Sequence, residues 1–313
     1  MRVVVALGGN ALSPSTSTGS AEEMRRALAD TGEVLTDLVA RGAELVVTHG
    51  NGPQVGRILL QQEAAGPGVP PMPMDVCGAE SQGQIGYLLA QALDSSLRAR
   101  DLQQRALCLV TQVVVDGRDP AFRRPTKPVG PHYDEATAHR IAAESGHVFS
   151  PLADGRWRRV VASPHPLGLV EEPVLAPLID SGNVLIVAGG GGVPVVEHGD
   201  TLRGVEAVVD KDRTAALVAG LVGADLLLIL TEVSRVQVRY GTSDAREVET
   251  MTAAEARKLL AEGEFPEGSM GPKVEACCDF VQSAPGGRRA VIAALGDAAH
   301  AVFGTAGTAV TGD

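Results

Sequence analysis

Six short aliphatic runs recur along the chain, at 3–7, 45–48, 107–115, 184–188, 226–231 and 290–295, each closing on a polar or glycine-rich loop. They lack the apolar/polar alternation of a strand with one wet face, so they suit strands buried on both sides. Helical patterns lie between them. The clearest, 21–41, opens on Ser20 with Glu23 three residues later and closes at Gly42. That is the signature of a capping box and a glycine stop. Further helices are predicted at 53–65, 81–100, 135–145, 212–221, 253–261 (with Thr252 and Glu255 as a second capping box) and 273–283. Strand and helix therefore alternate, which predicts an α/β fold with a mostly parallel central sheet and helices on both sides.

At 313 residues the chain is long enough for one large α/β domain or two lobes. The stretch 116–166 interrupts the rhythm, being rich in Pro, Arg and Gly around one short helix, and reads as an inserted flap or small subdomain. No regular element is expected at 66–73. Aromatic residues are only 3%, which leaves an aliphatic core and little material for stacking bases. Thirty-eight acidic against 27 basic residues give a net charge of -11, a poor match for nucleic acid or an anionic membrane. The apolar runs are far shorter than the ~20 residues needed to cross a bilayer, and the N-terminus enters a strand-like run at once, so a cytoplasmic protein is expected. Cys77, Cys108, Cys277 and Cys278 show neither CxxC spacing nor a disulfide framework and read as reduced, buried thiols.

Ligands of an open parallel sheet sit beyond the carboxyl ends of its strands, and three of these strands end in glycine loops: Gly8-Gly9-Asn10, Gly50-Asn51-Gly52 and 189–192. Glycines there let backbone N–H groups approach anionic oxygens. Pro53 suits the first position of a helix, so 50–52 would present that helix's positive end to an anion. No GxxxxGK[ST] pattern occurs, which excludes a P-loop enzyme. The glycine spacing at 50–56 lacks the acidic strand end that a dinucleotide fold needs about 20 residues later. No GxSxG elbow or HExxH pair is present, and His49 and His132 read as hydrogen-bonding or loop residues rather than metal ligands.

The lysines are more telling. The chain carries 23 Arg but only four Lys: Lys127 in PTKP, Lys211 between Asp210 and Asp212, Lys273 at a helix start, and Lys258 on an ordinary amphipathic helix. A lysine is a compact, mobile point charge that can follow a moving phosphoryl group, whereas arginine brings a rigid planar fork. Three lysines in loop or cap settings therefore suit phosphoryl transfer. Lys211 could equally be salt-bridged by its neighbours. Asp210 and Asp212 could orient that ammonium or hold a magnesium ion bound mainly through substrate phosphates.

These residues sit in longer motifs that resemble the carbamate kinases of the amino acid kinase superfamily: ALGGNAL (6–12), THGNGPQVG (48–56), ESQGQIGY (80–87), TQVVVD (111–116), DPAFRRPTKPVG (119–130), GGGGVPV (189–195), GVEAVVDKD (204–212) and EGSMGPKVEA (267–276). The resemblance runs nearly end to end, and PTKP in the insert, together with GVEAVVDKD and GSMGPK, looks like carbamate kinase rather than the acetylglutamate, aspartate or uridylate kinases. It implies an open three-layer αβα sandwich with a small protruding subdomain at about 116–166, an N-terminal lobe (1–183) for carbamate binding and homodimerisation, and a C-terminal ATP-binding lobe (184–313).

By the same resemblance, Gly8, Gly9, Asn10, Gly50, Asn51 and Gly52 would cradle the phosphoryl group and carbamate, while Lys127, Lys211 and Lys273 would handle charge with Asp210 positioning them. Lys211, Asp212, Thr231, Glu232, Val233, Val236, Ser269, Met270 and Lys273 would surround the nucleotide, and Mg2+ would arrive on its phosphates. One position departs from the family pattern, Ser234 standing where an Asp is usual. The implied activity is reversible phosphoryl transfer between ATP and carbamate, giving ADP and carbamoyl phosphate. The alternatives are a kinase of another small acid or a non-catalytic ligand-binding homologue.

Overall fold

The computed structural model describes residues 1–12, 19–66, 68–152, 154–266, 269–283 and 287–313, apart from the Asn10 side chain. The strand Arg2–Leu7 runs through the middle of an eight-stranded sheet whose order is Thr250–Thr252, Thr308–Thr311, Arg289–Ala294, Leu226–Thr231, Arg2–Leu7, Glu44–His49, Val184–Ile186 and Ala106–Cys108. Neighbours are parallel throughout except where Arg289–Ala294 meets Thr308–Thr311.

Successive side chains of a strand point to opposite faces. Val4 and Ala6 accordingly pack with Ala215, Val218, Val274 and Phe280 from the helices Lys211–Leu221 and Met270–Gln282. Val3, Val5 and Leu7 pack on the other side with Leu28, Leu35, Ile85 and Leu89, from the helices Ala21–Ala40 and Met74–Ala99. Both faces are covered, which is why the strand is a continuous apolar run. The fold is an open αβα sandwich, and among the described residues no helix is long and apolar enough to cross a membrane. Both expected capping boxes form. Ser20 Oγ accepts from the Glu23 N–H at 3.2 Å while the Glu23 carboxylate accepts from the Ser20 N–H at 3.1 Å, an arrangement that stabilises such a helix by about 1 kcal/mol.

The run 107–115, expected as one strand, is two. Ala106–Cys108 forms one edge of the main sheet, and Gln112–Val115 belongs to a second sheet with Thr201–Gly204, Val193–His198 and Pro166–Leu169. The break falls at Thr111, whose N–H donates to Gln82 Oε1 at 3.0 Å and whose carbonyl accepts from Gln82 Nε2 at 3.1 Å. A buried glutamine amide thus takes the place of a neighbouring strand, and the same carbonyl accepts Val193 N–H as the chain changes sheets. The helix expected to begin at 81 begins at Met74, directly after Pro73.

The insert is an ordered antiparallel unit of Lys127–Tyr133, Trp157–Val161 and Val148–Pro151, with the helix Glu135–Ser145 against it. It is anchored by its own apolar cluster, in which Val129 and Val161 meet Val55, Ile58 and Leu59 of the helix Gly52–Ala64. His132 stands in that first strand rather than in a loop.

Candidate active site

Three neighbouring parallel strands, Arg2–Leu7, Glu44–His49 and Val184–Ile186, deliver the three glycine loops side by side at the carboxyl end of the sheet. Gly8 N–H donates to Leu230 O at 3.0 Å and Gly50 N–H to Leu7 O at 3.1 Å, so each loop leaves its strand along a neighbour's backbone. A Cβ on Gly191 would lie 2.1 Å from Val209 O, and the residue has φ +93, so only glycine fits. Just before it, Ala188 adopts a left-handed conformation (φ 50). That costs an alanine roughly 1–2 kcal/mol, and the turn is held by Thr48 Oγ1 donating to Ala188 O at 3.0 Å and by Ala188 N–H donating to Thr111 Oγ1 at 3.1 Å. The Asn51 amide lies against Gly190, where a Cβ would stand 2.1 Å from its Nδ2, and donates to Ser81 Oγ at 2.8 Å.

The helix Lys211–Leu221 begins at the same end of the sheet. Asp210 caps it, with Oδ1 accepting the N–H groups of Asp212 (3.0 Å) and Arg213 (3.4 Å), and Oδ2 accepting Lys127 Nζ from the insert at 2.8 Å. Burial pushes the Asp210 carboxyl up. The Lys127 ammonium, the Asp212 N–H and the Lys211 charge outweigh it and hold the group below the usual carboxylate range. One residue on, buried Asp212 takes Lys211 Nζ on Oδ1 at 2.6 Å and Lys273 Nζ on Oδ2 at 3.0 Å. The structure therefore brings Lys127, Lys211, Lys273, Asp210 and Asp212 together. Lys258 is not among them: its side chain is exposed on the helix Ala253–Ala261, 3.9 Å from Glu262.

A cleft of about 820 Å³ opens beside these groups, within the size range of small-molecule sites. Gly8, Gly9, Lys211, Thr231, Glu232, Val233, Ser269, Met270 and Lys273, all among the expected site residues, lie on its wall. Asp212 lies beneath the lysines rather than on the wall. Val236 is fully buried in the core with its N–H donated to Thr308 Oγ1, so it does not reach the cleft. Ser234 is exposed. The Asn10 side chain, expected at the phosphoryl group, falls outside the described residues, as do Glu267 and Gly268 of the EGSMGPKVEA motif. Sequence reasoning missed Arg235, Gln237, Tyr240 and Pro266 on the same wall, together with Ala294 and Leu295 at the end of the next strand. The spacing of two between Arg235, just before the strand Val236–Val238, and Gln237 within it was the available signal for that pair.

His49, at the end of its strand, is 1% exposed with Nδ1 2.9 Å from Gly50 O. Burial pushes its imidazole down to about 4, the hydrogen bond to Gly50 opposing and the Lys211 charge adding to the fall. It is neutral at pH 7. Among the described residues no group of three His, Cys, Asp or Glu side chains is placed to hold a metal.

The family model for the amino acid kinase family matches residues 1–294. The carbamate kinase of Pyrococcus horikoshii is 47% identical over 312 residues, covering 99% of each chain, and that of Halobacterium salinarum is 48% identical over 311 residues, covering 98% of this chain and 97% of the other. The structure of the Giardia lamblia carbamate kinase bound to AMP-PNP superposes with a TM-score of 0.94 at 40% identity, covering 100% of this chain and 98% of that one.

Proposed function

The chain belongs to the amino acid kinase family, among its carbamate kinases, and transfers a phosphoryl group reversibly between ATP and carbamate; we propose that the transfer takes place over Gly8 and Gly9, under the Lys211 ammonium. One observation carries this placement. Lys211 lines the cleft, and its side chain also crosses the neighbouring loop, where a Cβ on Gly50 would stand 3.3 Å from Lys211 Cδ. The group on the moving phosphoryl must touch both donor and acceptor, and the reach of Lys211 to both loops supports that role.

The nucleotide occupies the cleft between Thr231, Tyr240, Met270 and Lys273, and carbamate lies toward Gly50–Gly52 and Lys127. The N-terminal lobe (1–183) thus holds carbamate and the C-terminal lobe (184–313) holds ATP. Carbamate is already an anionic oxygen nucleophile, so no strong base is required. The residues hold two anions in line and offset their charge with ammonium groups and backbone N–H donors. Lys273 and Lys211 neutralise the nucleotide phosphates, Lys127 reaches the acceptor side from the insert, and Asp210 positions Lys127. All four carboxylate oxygens of Asp210 and Asp212 already accept a hydrogen bond from a lysine or a backbone N–H. Mg2+ then binds mainly through nucleotide oxygens, where it supplies further neutralisation.

The protein acts in the cytoplasm as a homodimer. Exposed Tyr87 and Val110 flank the edge strand Ala106–Cys108, a surface suited to a second copy. The test is ATP formation from ADP and carbamoyl phosphate with Mg2+, and ADP release from ATP with ammonium and bicarbonate against acetylglutamate, aspartate and UMP. ATP formation and a preference for carbamate are expected. Phosphorylation of another acceptor in its place overturns the reading.

A further inference from the structure

We propose that His49 is a positioning residue for the transfer: its imidazole grips the Gly50 carbonyl and thereby aims the Asn51 N–H at the transferred group. The proposal rests on the site reading above. His49 Nδ1 lies 2.9 Å from Gly50 O, and a carbonyl can only accept, so Nδ1 must carry the hydrogen. The other ring edge, Cε1 and Nε2, faces Gly189, where a Cβ would lie 2.4 Å from both atoms. The ring is therefore wedged between two of the three glycine loops, and Gly189 has to be glycine to admit it. Gly50 is pinned on its other side as well, its N–H donating to Leu7 O at 3.1 Å.

A trans peptide is planar with its C=O and N–H pointing in opposite directions. Drawing the Gly50 carbonyl toward the buried imidazole therefore turns the Asn51 N–H away from it, in a loop where Gly50 and Asn51 are half-buried and the Lys211 side chain passes Gly50. Among the described residues no acceptor takes that N–H. Among the described residues no other donor reaches the Gly50 carbonyl, so without the imidazole that peptide plane is held only through its neighbours and the donor loses its aim. The loop needs glycine for close approach, and the histidine restores the rigidity that glycine gives up.

Three substitutions test this by steady-state kinetics in the ATP-forming direction, each with a thermal melt. His49→Leu fills the slot without a donor and should lower kcat about 100-fold, the scale of a misplaced catalytic group, with KM for ADP nearly unchanged. His49→Asn keeps an N–H at the δ position and should recover at least ~10-fold of that loss. His49→Gln, whose donor sits one bond further out, should not. A folded His49→Leu enzyme with wild-type kcat, or equal losses in Asn and Leu, overturns the proposal. If the substituted chains fail to fold, nitrogen NMR of the wild-type imidazole decides: a neutral ring protonated on Nδ1 supports the grip, and one protonated on Nε2 refutes it. A wild-type enzyme that makes no ATP would instead count against the site reading, while the tautomer would still report on His49.

Discussion

Asp212 Oδ2 lies 3.0 Å from Lys273 Nζ, joining residues 61 apart in sequence, while Oδ1 of the same carboxylate holds Lys211 Nζ at 2.6 Å. One buried acid thus fixes the separation of two ammonium groups before any substrate arrives. That is the preorganisation electrostatic catalysis requires, because the charges need not be gathered during the reaction. Two cations on one carboxylate also leave excess positive charge at the cleft of a chain whose net charge is -11. Such a local field draws in anionic substrates although the surface as a whole repels them.

The glycines divide into those the fold needs and those a ligand needs. A Cβ on Gly9 would meet nothing within 4 Å among the described residues, whereas one on Gly191 would strike Val209 O at 2.1 Å with φ +93. Gly9→Ala should therefore melt like wild type, yet lose about 10-fold or more in kcat/KM through the phosphoryl group it crowds. Gly191→Ala should lose more than ~2 kcal/mol of stability. Thermal melts paired with kinetics check this, and wild-type kinetics in Gly9→Ala would remove that loop from the phosphoryl site.

The buried His49 also sets a pH dependence. Its folded pKa is depressed from 6.5 to about 4, so between those values the unfolded chain binds a proton that the folded chain refuses. Its contribution is whole above pH 6.5 and drains away as pH falls toward 4. Asp210, held below its ordinary value of 3.8, acts with the same sign at lower pH. Moving from pH 7 to pH 5 should cost wild type about 2 kcal/mol more than His49→Asn, measured by urea denaturation. Parallel losses in the two proteins would mean that His49 is not buried as a neutral ring.

Much of this was legible in the sequence because the signals were local. The glycine loops, the capping box at Ser20 and Glu23, and the lysines at 127, 211 and 273 each carry their meaning within a few residues. What escaped depended on partners far away in the chain. Nothing near Thr111 announces that Gln82 will take both of its backbone hydrogen bonds and break the strand. The strand Lys127–Tyr133 contains Pro128, Gly130 and Pro131 and reads as a loop. It survives because it lies at the edge of its sheet, with an irregular register between Val129 and His132. The helix Met74–Ala99 starts without a capping side chain and carries Gly78 in its second turn, so its first residues gave no helical signal. The motif points Val236 at the nucleotide, whereas its side chain joins the apolar cluster that also holds Val238, Met251 and Phe265, residues whose packing no local pattern announces.

The central claim is that Lys211 and Lys273 handle the phosphoryl groups, and a chain with 23 Arg offers a direct control. Charge alone is already supplied by arginine everywhere else, so Lys→Arg should be harmless wherever geometry does not matter. Lys258, whose side chain is 76% exposed, provides that case, while the side chains of Lys211 and Lys273 are 15% exposed and each shares Asp212. The decisive measurement is steady-state turnover of Lys211→Arg, Lys273→Arg and Lys258→Arg, each with a thermal melt. Turnover should fall by about 10- to 1000-fold in the first two, with melting temperature held, and stay unchanged in the third, because a longer planar guanidinium cannot occupy the place of an ammonium among carboxylate and phosphate oxygens. Near-wild-type turnover in both Lys211→Arg and Lys273→Arg would contradict the account.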